Sequence, residues 1–396
     1  MNATRYRFAR HAQAWLPLLP VATVYLVVTL WIALAYPFPS MFDELAHLSV
    51  ARAQYEHLDL FADTRQYKML DADNLGRWSA QSNFLNHPPL FYMGLAPWFQ
   101  LDDPARAMRL VNVALSVAGL VVVIAAGCRI FRTVFEGATF AIIAASFPKA
   151  ALIGGMINND NLAAVAAASV FAGMAGAPVW LVAAGLALAG WTKLTALIAL
   201  AAAVGVKALL DRKQGILNRA NLLALAGVAI GSMPYLVTVS QSGQLFHVNV
   251  DVYASTPGTR PAWDFLDYTR MFFSELVGKW PAAEASLPLW IGCILVAVPL
   301  VFAMIGTRHD HRVCSIGVAY LAATFITLLL HFAFGWHSFQ TIGDLTIAQT
   351  RYYNVLWPGL ALAGAAAVSR LGRTTPIALG LYLAPTVLGG AVLALF

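Results

Sequence analysis

The chain is organised by long apolar runs separated by short polar breaks. Eleven runs can be placed, at roughly 15–36, 107–127, 134–155, 161–176, 178–191, 194–206, 220–240, 286–306, 313–334, 353–369 and 375–395. A helix crossing a hydrocarbon core of about 30 Å needs about 20 apolar residues, so each run predicts a spanning helix. The runs at 161–176, 178–191 and 194–206 are short by that measure. The first run is too long for a signal-peptide core and has no small-residue cleavage site behind it, so it is expected to stay as a span. The pattern predicts an all-α polytopic membrane protein with about 11 transmembrane helices, a single integral membrane domain over 1–396.

Between the runs lie two large polar stretches, 37–106 and 241–285. The second contains PAWDFLDYTRMFFSELVGKW, where Trp263, Leu266, Phe273, Leu276 and Val277 recur near helical spacing behind acids suited to a helix start. That segment reads as an amphipathic helix on a membrane surface. A shorter loop is expected from Trp336 to Thr350.

Composition agrees: 60% of residues are hydrophobic and only 11% charged, far below what a soluble domain needs. The net charge is +6, but the basic residues are scattered in small clusters rather than gathered on one face, which excludes a nucleic-acid partner. Cys128, Cys293 and Cys314 lie in or at the ends of apolar runs, without zinc spacing or a disulfide framework. Thirteen of the 25 Lys and Arg fall in the stretches that would be cytoplasmic with the N-terminus inside, among them Arg5, Arg7, Arg10, Arg129, Arg132 and Lys213. On that side the acids are Glu136, Asp211 and Asp310. This positive-inside bias places 37–106 and 241–285 outside the cytoplasm. The cytoplasmic loops are short and hold no nucleotide-binding motif.

The candidate chemistry lies on the outer side. Asp43 and Glu44 open SMFDELAHLSV, and His47 follows within one helical turn. Ser40 and Asp43 have the spacing of a capping box, so a helix cap alone would account for the acids. Leu45, Leu48 and Tyr55 would pack the helix down. In NFLNHPPLFYMG the double proline stops a helix and holds Asn86 and His87 in a rigid turn, while Leu90, Phe91 and Tyr92 are apolar enough to dip toward the membrane. Asn158-Asn159-Asp160 makes another outer turn, which as a cap would start the fourth span. Lys193 and Arg351 sit at outer ends of spans, where a cation must snorkel, pair or meet an anion. Asp71-x-Asp73 offers a possible divalent-metal pair, although such acids are common in polar loops.

An outward-facing enzyme has no nucleotide-sugar supply, so an activated donor must arrive on a membrane carrier. Two cations suit a carrier phosphate, and one carboxylate suits deprotonation of an attacking hydroxyl. The ordered set DE-x-x-H, HPPL-x-Y, Asn-Asn-Asp, K-x-TA and RYY resembles the GT-C superfamily of lipid-carrier-dependent glycosyltransferases. It looks closest to the branch of protein O-mannosyltransferases and aminoarabinose transferases. The resemblance covers most of 1–370 and implies a GT-C-like bundle with amphipathic outer-face helices in the first large loop. It further implies a bacterial cytoplasmic-membrane enzyme that is inverting, with an extracytoplasmic site and a polyprenyl-phosphate or diphosphate sugar donor. By residue it implies Asp43 as base and Glu44 as its support, and His47, Asn86, His87, Asp160, Lys193 and Arg351 as substrate-binding or supporting groups. No cofactor is required. Many relatives carry a soluble domain after the last span, so the expected acceptor is a lipid, a glycan or a small hydroxyl compound. A transporter of lipid-linked sugar, another lipid-carrier transferase and a non-catalytic scaffold remain as alternatives.

Overall fold

The computed structural model describes residues 18–40, 43–215, 218–243, 264–278, 288–308, 311–342 and 349–395. Trp263, Asp344 and the N-terminal arginines fall outside them. Each predicted run appears as helix. The first is α1 (Leu18–Ala35). The first large loop then carries α2 (Glu44–Glu56), a hairpin of β1 (Lys68–Asp71) and β2 (Asn74–Ser82), and a short α3 (Leu90–Leu95). The bundle continues with α4 (Pro104–Cys128), α5 (Val134–Ala145), α6 (Ala150–Gly154), α7 (Asp160–Met174), α8 (Trp180–Gly190), α9 (Leu194–Leu210) and α10 (Arg219–Ser242). The remainder is α11 (Phe265–Gly278), α12 (Leu289–Gly306), α13 (His311–Ile342), a 3₁₀ segment Thr350–Leu356, α14 (Trp357–Val368) and α15 (Thr375–Leu395). Five of the described helices are long and apolar enough to cross a membrane by length and composition: α1, α4, α10, α12 and α13. The chain is an all-α, multi-pass membrane protein.

Local chemistry accounts for several boundaries. Asp103 caps α4 by accepting from the Arg106 N–H, with Pro104 at the first helical position. Thr133 and Glu136 form a complete capping box at α5. Every residue of α14 is buried; its alanines and glycines let neighbouring helices close in on all sides. A Cβ on Gly190 would stand 2.1 Å from the carbonyl oxygen of Gly231, so α8 and α10 meet backbone to backbone.

The structure corrects the expected outline in four places. The run 134–155 is not one helix: Pro148 lacks an N–H to continue the ladder, and Lys149 takes a left-handed φ of 67° between α5 and α6. Hydropathy passes through Trp336 into the expected third loop, and with no breaker there α13 runs on to Ile342. The first loop contains a hairpin as well as helices. Asp71 and Asp73 belong to its turn: Asp71 accepts the Asp73 N–H at 3.0 Å and pairs with Arg77. In α11 the buried stripe is Tyr268, Phe272 and Leu276, whereas Leu266 and Phe273 are exposed.

The α8–α10 contact yields a stability prediction. Gly190→Val is expected to prevent close approach and lower the melting temperature of the detergent-purified protein. Gly205→Ala, with open space around its Cβ, should hold or raise it, since alanine favours a helix by up to about 1 kcal/mol.

Candidate active site

The polar groups of the first loop, the heads of α7 and α9 and the 3₁₀ segment before α14 come together at one end of the bundle. Asp43 lies at the head of α2 with φ 59°, a left-handed conformation unusual for a non-glycine residue. The expected capping box is absent. Asp43 makes no cap hydrogen bond, and it is Glu44 that reaches back, accepting the Ser40 N–H at 2.9 Å. The reason is an arginine that sequence reasoning passed over. Arg109, in α4, donates from Nε and Nη2 to the two Glu44 oxygens, both at 2.7 Å. The same guanidinium donates to the carbonyls of Tyr36 and Pro37 at 2.7 and 3.0 Å. Glu44 also accepts the Ile157 N–H at 3.0 Å. With 0% of Glu44 exposed, both of its oxygens are committed to holding the loop against α1, α4 and the approach to α7. The signal for Arg109 was present: a charge inside an apolar run needs a partner.

Asp43 points the other way. Its Oδ2 accepts from Arg351 Nη2 at 2.6 Å, while Oδ1 takes no hydrogen bond among the described residues. Arg351 also lies 3.7 Å from Asp160, and Asp160 Oδ1 accepts from Lys193 Nζ at 2.7 Å. The side chains of Asp160, Lys193 and Arg351 are all under 10% exposed, whereas that of Asp43 is 27% exposed. The two cations therefore pair with acids rather than snorkelling. The Tyr352 ring lies beside both, 4.5 Å from the Lys193 ammonium and 5.9 Å from the Arg351 guanidinium carbon. Lys149, on the break between α5 and α6, donates to the Thr350 hydroxyl at 3.4 Å and so adds a third cation beside Arg351.

Asparagine side chains hold the surrounding backbone and side chains in place. Asn158 Oδ1 accepts the Asp160 N–H at 2.9 Å, and Asn159 donates to the Thr192 carbonyl at 3.1 Å, tying α7 to the residue before Lys193. Asn161 donates to Asn112 at 2.8 Å, tying the same turn to α4. The asparagine turn thus does more than cap a helix.

The histidines form the other wall. His47 is buried, shares a 3.0 Å hydrogen bond with the Tyr92 hydroxyl, and stacks on His87 at 6.2 Å between ring centroids. Phe91, Tyr92 and Leu95 pack into the protein with Leu48 rather than dipping to the membrane, and Tyr55 is 42% exposed instead of packing down. Burial, helped by His87, Arg351 and Lys193, holds the His47 imidazole well below its ordinary range. His87 is pushed down to about 3, by burial first and then by the Lys193 charge. Asn86 lies beside His87 and the double proline on an adjoining groove. The structure therefore gathers Asp43, His47, His87, Asp160, Lys193 and Arg351 into one polar centre, with Asn86 at its edge and Glu44 behind it.

Two acids and several cations thus stand together at one end of an apolar helical bundle in a multi-pass membrane protein. Comparison with solved structures finds similarity to the crystal structure of ArnT from Cupriavidus metallidurans bound to undecaprenyl phosphate. The identity is 14% over 99% of this chain and 88% of that chain, with a TM-score of 0.43. No family model matches, and no curated protein does.

Two predictions follow from the geometry. Arg109→Met leaves the Glu44 charge buried without its fork and should cost about 3–5 kcal/mol of stability. Glu44→Gln in the same background should recover part of it, read from thermal melts. For His87 the unfolded state binds the proton more tightly, so its contribution to stability is complete above about pH 6.5. It should be lost progressively as pH falls toward 3. Acid unfolding of His87→Asn should accordingly be shallower across that window than that of the parent.

Proposed function

We propose that the protein is an inverting glycosyltransferase that takes a sugar from a polyprenyl-phosphate or diphosphate carrier and delivers it to a hydroxyl acceptor. The site is assigned to the extracytoplasmic face by the positive-inside bias. The observation that carries the reading is the chain of contacts Asp43–Arg351–Asp160–Lys193. It sets one partly exposed carboxylate beside two buried cations. A transferase using a phosphate leaving group needs that combination: a base for the acceptor and charge to receive the departing phosphate.

In this reading the acceptor oxygen attacks the anomeric carbon while Asp43 Oδ1 takes its proton. The bond from that carbon to the carrier oxygen breaks, and the electron pair leaves with the phosphate. Lys193 and Arg351 receive the phosphate charge, and Asp160 holds the two cations in place beforehand. Glu44 acts through the loop backbone and not on the substrate. His47 and His87, held neutral, serve as hydrogen-bonding walls rather than as competing acids. Neither the base nor the phosphate clamp calls for a metal or another cofactor. The break between α5 and α6, placed beside a cation, favours the alternative of a lipid-linked-sugar transporter, since transporters use interrupted helices at ion sites.

Asp43→Asn separates the two. Sugar release from a polyprenyl-phosphate donor by the purified protein should fall by about 10²–10⁴-fold while the melting temperature holds. Release at the parental rate would remove Asp43 from the chemistry. Lys193→Met should raise the donor KM; an unchanged KM would dismiss the phosphate clamp.

A further inference from the structure

α13 is apolar enough to cross a membrane, yet it carries a histidine, His331, half-buried against the protein. A polar side chain in such a helix is costly unless it has a partner and a task. The partner lies in the 3₁₀ segment Thr350–Leu356, where His331 Nδ1 shares a 3.1 Å hydrogen bond with the Tyr353 hydroxyl. The same imidazole meets the Tyr352 ring edge-on, 5.4 Å between centroids. It also meets the buried Phe272 of α11, at 5.0 Å. Phe272 packs in turn on Phe332 at 5.2 Å, so the imidazole has a stiff aromatic backing.

The 3₁₀ segment needs support from outside. Its i→i+3 hydrogen bonds are poorer than those of an α-helix, and runs beyond three or four residues are uncommon. This one has seven. Side-chain bonds from other elements reach it along its length. Lys149 donates to Thr350 at its first residue, and Trp357, directly after its last, donates from Nε1 to the Ile143 carbonyl at 2.9 Å. His331 supplies the contact between these two, at Tyr353. Three residues complete a 3₁₀ turn, so Arg351, Tyr352 and Tyr353 point to three different sides. The rotation that brings Tyr353 to His331 therefore also turns Arg351 toward Asp43 and Asp160, and sets Tyr352 beside Lys193.

We propose that His331 is a positioning residue: through Tyr353 and Tyr352 it sets the rotation of the 3₁₀ segment, and thereby places Arg351 beside Asp43. Without the imidazole the buried Tyr353 hydroxyl must find water or another partner, and the segment turns with it. The importance of this placement for receiving a carrier phosphate rests on the glycosyl-transfer reading. The placement itself does not.

Hydrogen exchange of the full detergent-purified chain, followed by mass spectrometry, reads the placement without any donor. His331→Phe keeps a ring and removes the hydrogen bond, whereas His331→Asn keeps a hydrogen-bonding atom near the place of Nδ1. Exchange of the amides at 353–356 should quicken about fivefold in His331→Phe and stay near the parental rate in His331→Asn. Tyr353→Phe removes the other partner and serves as the second variant if His331→Phe does not fold. It should match His331→Phe, and the double variant should go no further than either. Undecaprenyl phosphate, titrated into the same proteins below their melting temperatures, should bind about fivefold more weakly to each single variant than to the parent, with His331→Asn near the parent. Parental exchange in both single variants, effects that add in the double variant, or an affinity for undecaprenyl phosphate equal in all of them overturns the assignment. Exchange that follows the expected pattern in a parent that binds no undecaprenyl phosphate would keep His331 as a positioning residue and reject the phosphate clamp.

Discussion

The fork of Arg109 on Glu44 governs how the first large loop meets the bundle. Both side chains are inside the protein, where an unpaired charge would cost several kcal/mol, so neither can move without the other. The arginine uses its remaining donors on carbonyls at the end of α1, and the glutamate its remaining lone pairs on Ser40 and Ile157. Four separate stretches of chain are thereby fixed around one ion pair. Asp43, the residue just before Glu44, takes a left-handed conformation beside this fixed pair. The position of the proposed base is set by a residue that takes no part in its chemistry.

The polar centre itself is balanced in a similar way. Arg351 lies between Asp43 and Asp160, and Lys193 pairs with Asp160, so every charge in the chain of contacts has an opposite neighbour. Lys149 adds positive charge beside Thr350. With Lys149 counted, the cluster holds three cations against two acids, and the acids keep Arg351 and Lys193 in fixed orientations. Burial first, and then the neighbouring positive charges, hold the two histidines of the same wall below their ordinary range.

The eleven helical runs were legible because hydropathy reports burial in lipid or protein irrespective of what a helix touches. The acids, the asparagine turn and the cations Lys193 and Arg351 were legible as single residues out of keeping with their surroundings. Their partners were not, since Asp43 and Arg351 are 308 positions apart and no local rule brings them together. Arg109 was overlooked although its charge within an apolar run was a sufficient signal. The break at Lys149 was hidden for the opposite reason: hydropathy does not register backbone conformation, and Pro148 was the only local mark of it. The hairpin at 68–82 was masked by attention to its acids, yet the Asp-Ala-Asp-Asn turn between apolar positions has a strand-turn-strand pattern.

The backbone contact between Gly190 and Gly231 has a mechanical consequence. Lys193 follows Gly190 by three residues, and Tyr235 follows Gly231 by four, so the pivot of the two helices lies close to both side chains. Helices meeting without side chains between them have little freedom to slide, and α8 and α10 are expected to tilt as one lever. A displacement of α10 at Tyr235 would carry the Lys193 ammonium with it. The setting of Tyr235 and the setting of Lys193 would then be two readings of a single rigid-body coordinate.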